Sequence, residues 1–142
     1  MRLRCAIIED LRPDAQVLER ALLAASAHSC RLQCTLYASG SEFLRRGALS
    51  EQDVIFLDIC MPGLDGIETA RRLRGEDPRI PIVFVTSSEE YVWDALPLHP
   101  FDYLRKPYDD ARVRKLLDDL LAALGRPEPE LELRVARQLI QV

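Results

Sequence analysis

The stretch Val54-Ile55-Phe56-Leu57-Asp58-Ile59-Cys60-Met61-Pro62-Gly63-Leu64-Asp65-Gly66 decides how the chain folds. Val54 to Leu57 run without a polar break. A strand buried on both faces of a parallel sheet has that pattern. The run stops at Asp58, a carboxylate at the strand's carboxyl end. Pro62-Gly63-Leu64-Asp65 then reads as a turn followed by an acidic helix cap, and residues 66–74 continue as a helix.

The same unit recurs along the chain. Short runs rich in β-branched residues lie at Leu3–Ile8, Leu32–Tyr37, Ile82–Val85 and Phe101–Leu104. Between them stand helical patterns. Residues 13–25 carry Ala15, Leu18, Leu22 and Ala25 on one stripe, with Pro13 suited to a first helical turn. Residues 40–47 follow Ser39-x-x-Glu42, a capping-box signature. Residues 89–96 form a short helix that Pro97 should end. Residues 109–124 place Val113, Leu116, Leu117, Leu120, Leu121 and Leu124 at helical spacing, with Gly125 following as a C-terminal cap residue. A strand followed by a helix, five times over, predicts a three-layer α/β fold: a doubly wound five-stranded parallel sheet with helices on both faces.

The bulk properties agree. The chain has 142 residues, 48% of them hydrophobic, which suits one domain with room for little more than a tail. A net charge of −4 disfavours a nucleic-acid or membrane-surface binder, because both usually present a basic face. No apolar run reaches a membrane span, and no signal peptide is read at the N-terminus. Cys5, Cys30, Cys34 and Cys60 fit no zinc spacing and read as small buried hydrophobes with free thiols. A reducing cytoplasm suits them.

Residues 1–124 therefore form the domain, and 125–130, with Pro127 and Pro129, read as a linker. Leu131, Leu133 and Val135 alternate with charged residues, so 131–142 reads as the first strand of a further, truncated domain.

The chemistry is carried by the residues that end the strands. The first run ends in Glu9-Asp10, the third in Asp58, the fourth in Thr86 and the fifth in Lys106. Ligands of open parallel sheets bind outside the carboxyl ends of the strands, where strand order reverses. These residues therefore converge. Three crowded carboxylates call for a dication, and oxygen-only ligation points to Mg2+. One carboxylate can act as a nucleophile toward phosphorus. A metal, a lysine and a hydroxyl neutralise the equatorial oxygens of a transferring phosphoryl group.

Ile7-Ile8-Glu9-Asp10, the Val54–Gly66 stretch, Phe84-Val85-Thr86-Ser87 and Asp102-Tyr103-Leu104-Arg105-Lys106-Pro107 together resemble the motifs of the bacterial response regulator receiver domain, in order and in register. The resemblance covers residues 1–124 and implies a flavodoxin-like sheet of order 2-1-3-4-5. It implies that Asp58 takes a phosphoryl group from the phosphohistidine of a sensor histidine kinase. Glu9, Asp10, Asp58 and the main-chain carbonyl of Cys60 would hold Mg2+. Thr86 would donate to a phosphoryl oxygen. Lys106 would pair first with Asp58 and then with the phosphoryl group, and its bond to Pro107 would be cis. Tyr103 would be an aromatic switch, entering space left as Thr86 moves. Glu9 stands where many members have aspartate, and Cys60 and Ser88 flank the approach of water.

The run Phe101-Asp102-Tyr103-Leu104-Arg105-Lys106-Pro107-Tyr108 and the tail Leu131–Val142 resemble the receiver-to-effector junction of LytTR-type transcription regulators, which implies DNA contact through a C-terminal domain outside this chain, while the receiver family implies homodimerisation on phosphorylation. Two other readings compete: a stand-alone receiver acting by protein binding, and a phosphatase of the haloacid dehalogenase type. The second wants an acid two residues after the nucleophile, where this chain has Cys60. His28 and His99 lack ligand-spaced partners and read as structural. Arg71, Arg72 and Arg74 read as a solvated helix face. Tyr91 and Trp93 read equally as core packing or as a partner surface.

Overall fold

The computed structural model describes residues 2–61 and 65–125. The linker at 126–130, the strand read at 131–142 and the Pro62–Leu64 part of the turn lie outside them. The order of elements is β1 (Arg2–Ile8), α1 (Arg12–Ser26), β2 (Arg31–Tyr37), α2 (Gly40–Arg46), β3 (Val54–Asp58), α3 (Gly66–Glu76), β4 (Ile82–Thr86), α4 (Val92–Ala95), β5 (Asp102–Arg105) and α5 (Asp110–Leu124). One-turn 3-10 helices sit at Leu49–Glu51 and Leu96–Leu98.

All neighbouring strands are parallel, in the order β2-β1-β3-β4-β5. The chain leaves β1 toward one edge and returns to build β3 on its other side. That reversal opens a crevice between the carboxyl ends of β1 and β3.

Strand side chains alternate between two cores. Leu3, Cys5, Ile7, Val54, Phe56, Val83 and Val85 pack beneath α1 and α5. Ala6, Ile8, Ile55, Leu57, Ile82 and Phe84 pack against α2 and α3 on the opposite face. Both faces are covered, so the central strands have no polar side to show, and this is why Val54–Leu57 reads as a continuous apolar run. The edge strand β2 is partly exposed throughout, and its residues alternate in exposure. Phe56 is 1% exposed on the strand that carries Asp58. Truncation to alanine at such a site costs about 3–5 kcal/mol.

Caps and turns mostly follow the sequence. The Ser39 hydroxyl accepts from the Glu42 N–H at 3.0 Å, and the Glu42 carboxylate reaches back to the Ala38 N–H at 3.0 Å. Asp65 and Asp109 cap α3 and α5 by accepting from Glu68 and Arg112 N–H groups, each at 2.8 Å. Gly125 caps α5 with an ordinary negative φ of −81°, so the left-handed freedom of glycine is not used there.

Two expectations are corrected. The helix read at 89–96 is a single α turn, Val92–Ala95. Ser88 and its neighbours compete for the main chain: Ser88 Oγ accepts from Glu90 N–H at 3.2 Å and holds a loop instead. Pro97 does not end the helical path but lies inside the following 3-10 turn, which stops at His99 with φ of 53°. Arg74 is not on a solvated face. Its guanidinium donates to the carbonyls of Leu98 at 2.7 Å, Ile80 at 2.6 Å and His99 at 3.0 Å. Arg71 and Arg72 do stay on the surface, paired with Glu68.

Candidate phosphoryl-acceptor site

Strand register brings the site together. Ile8 pairs with Leu57, so the next residues on each strand, Glu9 and Asp58, emerge side by side at the crevice. Thr86 pairs with Arg105, which sets Lys106 one step beyond Thr86. The Lys106 N–H donates to the Thr86 carbonyl at 2.8 Å, extending the ladder into the loop. The Lys106–Pro107 peptide is cis, as the resemblance implied.

Glu9 and Asp58 are buried, at 6% and 5% exposure. Glu9, Asp10 and Asp58 each present a carboxylate oxygen such that all three atoms lie within 4.8 Å of one another. Asp58 Oδ1 accepts from the Cys60 N–H at 3.2 Å, and Glu9 Oε2 from the Leu11 N–H at 3.3 Å. Asp10 Oδ1 is buried and has no hydrogen-bond partner among the described residues. A buried carboxylate oxygen left without a partner is costly. Three carboxylates that supply only hard oxygens, one of them unsatisfied, fit a small dication such as Mg2+.

The electrostatics express this crowding. Burial, with the neighbouring Asp58, pushes the Glu9 carboxyl up to about 8, and the Lys106 ammonium opposes the rise without cancelling it. Burial also raises the Asp58 carboxyl, against the hydrogen bond it shares with Glu9 and the pull of Lys106 and the Cys60 N–H. Burial works against the charged form of Lys106, but hydrogen bonds to Asp14 and Glu9 outweigh it and hold the ammonium above its ordinary range.

Lys106 departs from the expected pairing. Its Nζ lies 2.7 Å from Glu9 Oε1 and 2.8 Å from Asp14 Oδ2, and no ion pair joins it to Asp58 among the described residues. An ammonium is a compact charge with three donors, and Asp14 offers a carboxylate on the α1 side that sequence reading passed over. A carboxylate 92 residues from its partner leaves no local signal.

Thr86 is buried, and its Oγ1 accepts from the Ser88 N–H at 3.3 Å. It also lies 3.9 Å from the Cys60 sulfur. The expectation of four buried cysteines holds only for Cys5: Cys34 on the edge strand β2 and Cys30 on the turn before it are half-buried, and Cys60 in the loop after β3 is exposed; all four are free thiols. The Tyr103 hydroxyl donates to the Ser88 carbonyl at 2.6 Å, and its ring stands 6.4 Å from that of Phe84. Tyr91 packs on the α2–α3 core, whereas Trp93 is 80% exposed. No helix among the described residues is long and apolar enough to cross a membrane.

A doubly wound parallel sheet with this acidic crevice, a strand-end threonine and a lysine before a cis proline defines a receiver-type signalling domain. The family model for the response regulator receiver domain matches residues 6–118, and the chain belongs to that family. Over 114 residues it is 33% identical to the DNA-binding transcriptional regulator NtrC of Klebsiella pneumoniae, covering 79% of this chain and 23% of that protein. Over 94 residues it is 35% identical to the sensory transduction protein LytT of Oceanobacillus iheyensis, covering 65% of this chain and 38% of that one. The chain thus spans less than half the length of these relatives. The response regulatory domain of mrkE from Klebsiella pneumoniae superimposes with a TM-score of 0.78 at 28% identity, covering 88% of this chain and all of that one. The receiver domain of a Pseudomonas aeruginosa sensor histidine kinase, with magnesium coordinated in its active site cleft, gives 0.71 at 25% identity, covering 89% of this chain and 100% of that one. Receiver domains are signalling phosphoacceptors that partner with sensor histidine kinases and bind Mg2+ at an acidic pocket.

Proposed function

We propose that this chain accepts a phosphoryl group on Asp58 from the phosphohistidine of a sensor histidine kinase. The observation that carries the reading is the meeting of Glu9, Asp10 and Asp58 with an unpartnered buried oxygen on Asp10. In the transfer, a carboxylate oxygen of Asp58 attacks phosphorus, an O–P bond forms, and the P–N bond to the histidine breaks. Glu9, Asp10, Asp58 and the main-chain carbonyl of Cys60 would hold Mg2+. Bound there, the ion supplies positive charge against the carboxylates and the phosphoryl oxygens.

The chain's own residues do the rest. The Cys60 N–H orients Asp58 through Oδ1. The Thr86 hydroxyl turns from the Ser88 N–H to donate to a phosphoryl oxygen. The Lys106 ammonium pairs with another such oxygen. Rearrangement around Thr86 acts on Tyr103 through the Ser88 carbonyl that Tyr103 already grips. A phosphoryl group brings about −1.5 to −2 charge, the local event that biases such a two-state element.

Output is control of transcription, through a DNA-binding domain that follows the receiver in the whole protein, with homodimerisation on phosphorylation. The name and greater length of NtrC, a DNA-binding transcriptional regulator, support the transcriptional output. Intact mass of the chain, incubated with Mg2+ and acetyl phosphate, tests the phosphoacceptor role. Wild type gains one phosphoryl group per chain, only with Mg2+, and Asp58→Asn gains none. A gain that survives in Asp58→Asn would remove the reading.

A further inference from the structure

Asp14 has no part in the phosphoryl chemistry described above, yet it holds the lysine on which that chemistry depends. Its Oδ2 accepts from Lys106 Nζ at 2.8 Å, while Glu9 Oε1 takes the same ammonium at 2.7 Å. Both ends of this contact are firmly mounted. Asp14 lies in the first turn of α1, beside Ala15, which is buried in the core. The main chain of Lys106 is tied to the Thr86 carbonyl. The Lys106 ammonium therefore moves through its own side-chain torsions, and both carboxylates hold it at once. The Glu9 side chain is 5% exposed and that of Asp14 39%, so the Asp14 contact is the wetter and more easily broken of the two. The pair lines an open groove with Val17, Ser87 and Tyr108, so Lys106 can turn without repacking the core.

From this geometry we infer that Asp14 is a positioning residue that restrains Lys106 on the α1 side of the site and thereby slows phosphoryl uptake at Asp58. The inference rests on the phosphoacceptor role proposed for Asp58. During transfer, charge gathers on the phosphoryl oxygens, and Lys106 must leave Asp14 to meet them. Molecules in which the ammonium stays on Asp14 are not competent, and the observed rate falls by the fraction so held. After transfer Asp14 still competes for the ammonium, so it also weakens the phosphorylated state.

The test compares wild type, Asp14→Asn, Asp14→Glu and Asp110→Asn for phosphoryl uptake from acetyl phosphate in saturating Mg2+. Asp110 is an exposed carboxylate at the start of α5, and its variant controls for the loss of one charge. Release of Lys106 raises the maximal rate in Asp14→Asn roughly twofold to fivefold, the weight of a half-exposed ion pair. The half-saturating donor concentration does not change, because the freed ammonium meets the phosphoryl oxygens from the transition state onward and not in the bound donor. Asp14→Glu keeps a carboxylate within reach of Lys106 and stays near wild type, as does Asp110→Asn. An unchanged or lower maximal rate in Asp14→Asn overturns the inference while leaving Asp58 as acceptor. So does an equal gain in Asp110→Asn, which would mark a general charge effect. Absence of uptake at Asp58 in wild type overturns both readings together.

Discussion

The Tyr103 hydroxyl donates to the main-chain carbonyl of Ser88 across 2.6 Å, joining β5 to the loop that follows β4. Ser88 also gives its N–H to Thr86 Oγ1. One loop residue thus meets the threonine at the site with its N–H and Tyr103 on β5 with its C=O.

Tyr103→Phe removes that bond and little else. It should lower stability by about 1 kcal/mol. Uptake of phosphate from acetyl phosphate should persist, because no atom of Tyr103 belongs to the acidic cluster. Phosphorylation-dependent binding to the partner, or self-association, should weaken, most fully in Tyr103→Ala. Sedimentation with and without phosphodonor checks this, and equal phosphate-dependent shifts in wild type and Tyr103→Ala would remove Tyr103 from the switch.

Gly66 opens α3 directly against the main chain at the end of the strand that carries Asp58. A Cβ at this position would lie 2.2 Å from the Asp58 carbonyl oxygen and 2.6 Å from Ile59 Cα. Backbone cannot yield as a flexible side chain can. Gly66→Ala should therefore cost about 1–3 kcal/mol in denaturant unfolding and should also slow phosphoryl uptake by displacing Asp58. Wild-type stability and rate together would show that the strand is not held at this approach.

Arg74 ties α3 to the segment before β5 through the carbonyls of Leu98 and His99, and to the turn before β4 through those of Asp77 and Ile80. Arg74→Ala leaves carbonyls unpaired, and a loss of about 2–3 kcal/mol is expected. Hydrogen exchange should rise first around residues 96–100, while phosphoryl uptake at Asp58 is retained. Arg74→Lys should rescue little, since one ammonium cannot span the same carbonyls.

Stability without metal should fall as pH rises. The Glu9 carboxyl is pushed up from 4.5 to about 8 by burial and by Asp58, so the folded chain keeps a proton that the unfolded chain has released. Above the unfolded value that difference works against the fold, increasingly until the folded value is passed. Melting in EDTA should therefore show a lower Tm at about pH 8 than at about pH 5.5 from this group, and Mg2+ should restore more at the higher pH. A Mg2+ effect that is larger at the lower pH would contradict the assignment of Glu9 to the metal set.

Much of the fold is legible in the sequence because burial on both faces leaves little choice of residue. Val54–Leu57 and Ile82–Val85 have to be strands, and the polar residues Asp58 and Thr86 that end them are the last residues of β3 and β4. The α1 stripe of Ala15, Leu18, Leu22 and Ala25 is buried as its spacing requires. What the sequence does not reveal is decided by distant contacts. The pairing of Lys106 with Asp58 is what the resemblance implies; tertiary packing brings Glu9 and Asp14 to the ammonium. Arg74 looks like its exposed neighbours Arg71 and Arg72, because carbonyl acceptors have no sequence signature. At residues 89–91 the short helical pattern loses to Ser88, whose side chain competes for the main chain.

The most direct measurement is chemical mapping of the phosphorylated residue. The chain is phosphorylated with acetyl phosphate in Mg2+, reduced with borohydride, digested and sequenced by mass spectrometry. Hydride converts an acyl phosphate to an alcohol with loss of phosphate, so an aspartyl phosphate becomes homoserine. Homoserine at position 58 and at no other aspartate is the expected result. Homoserine at Asp10 or elsewhere, with Asp58 intact, would contradict the account.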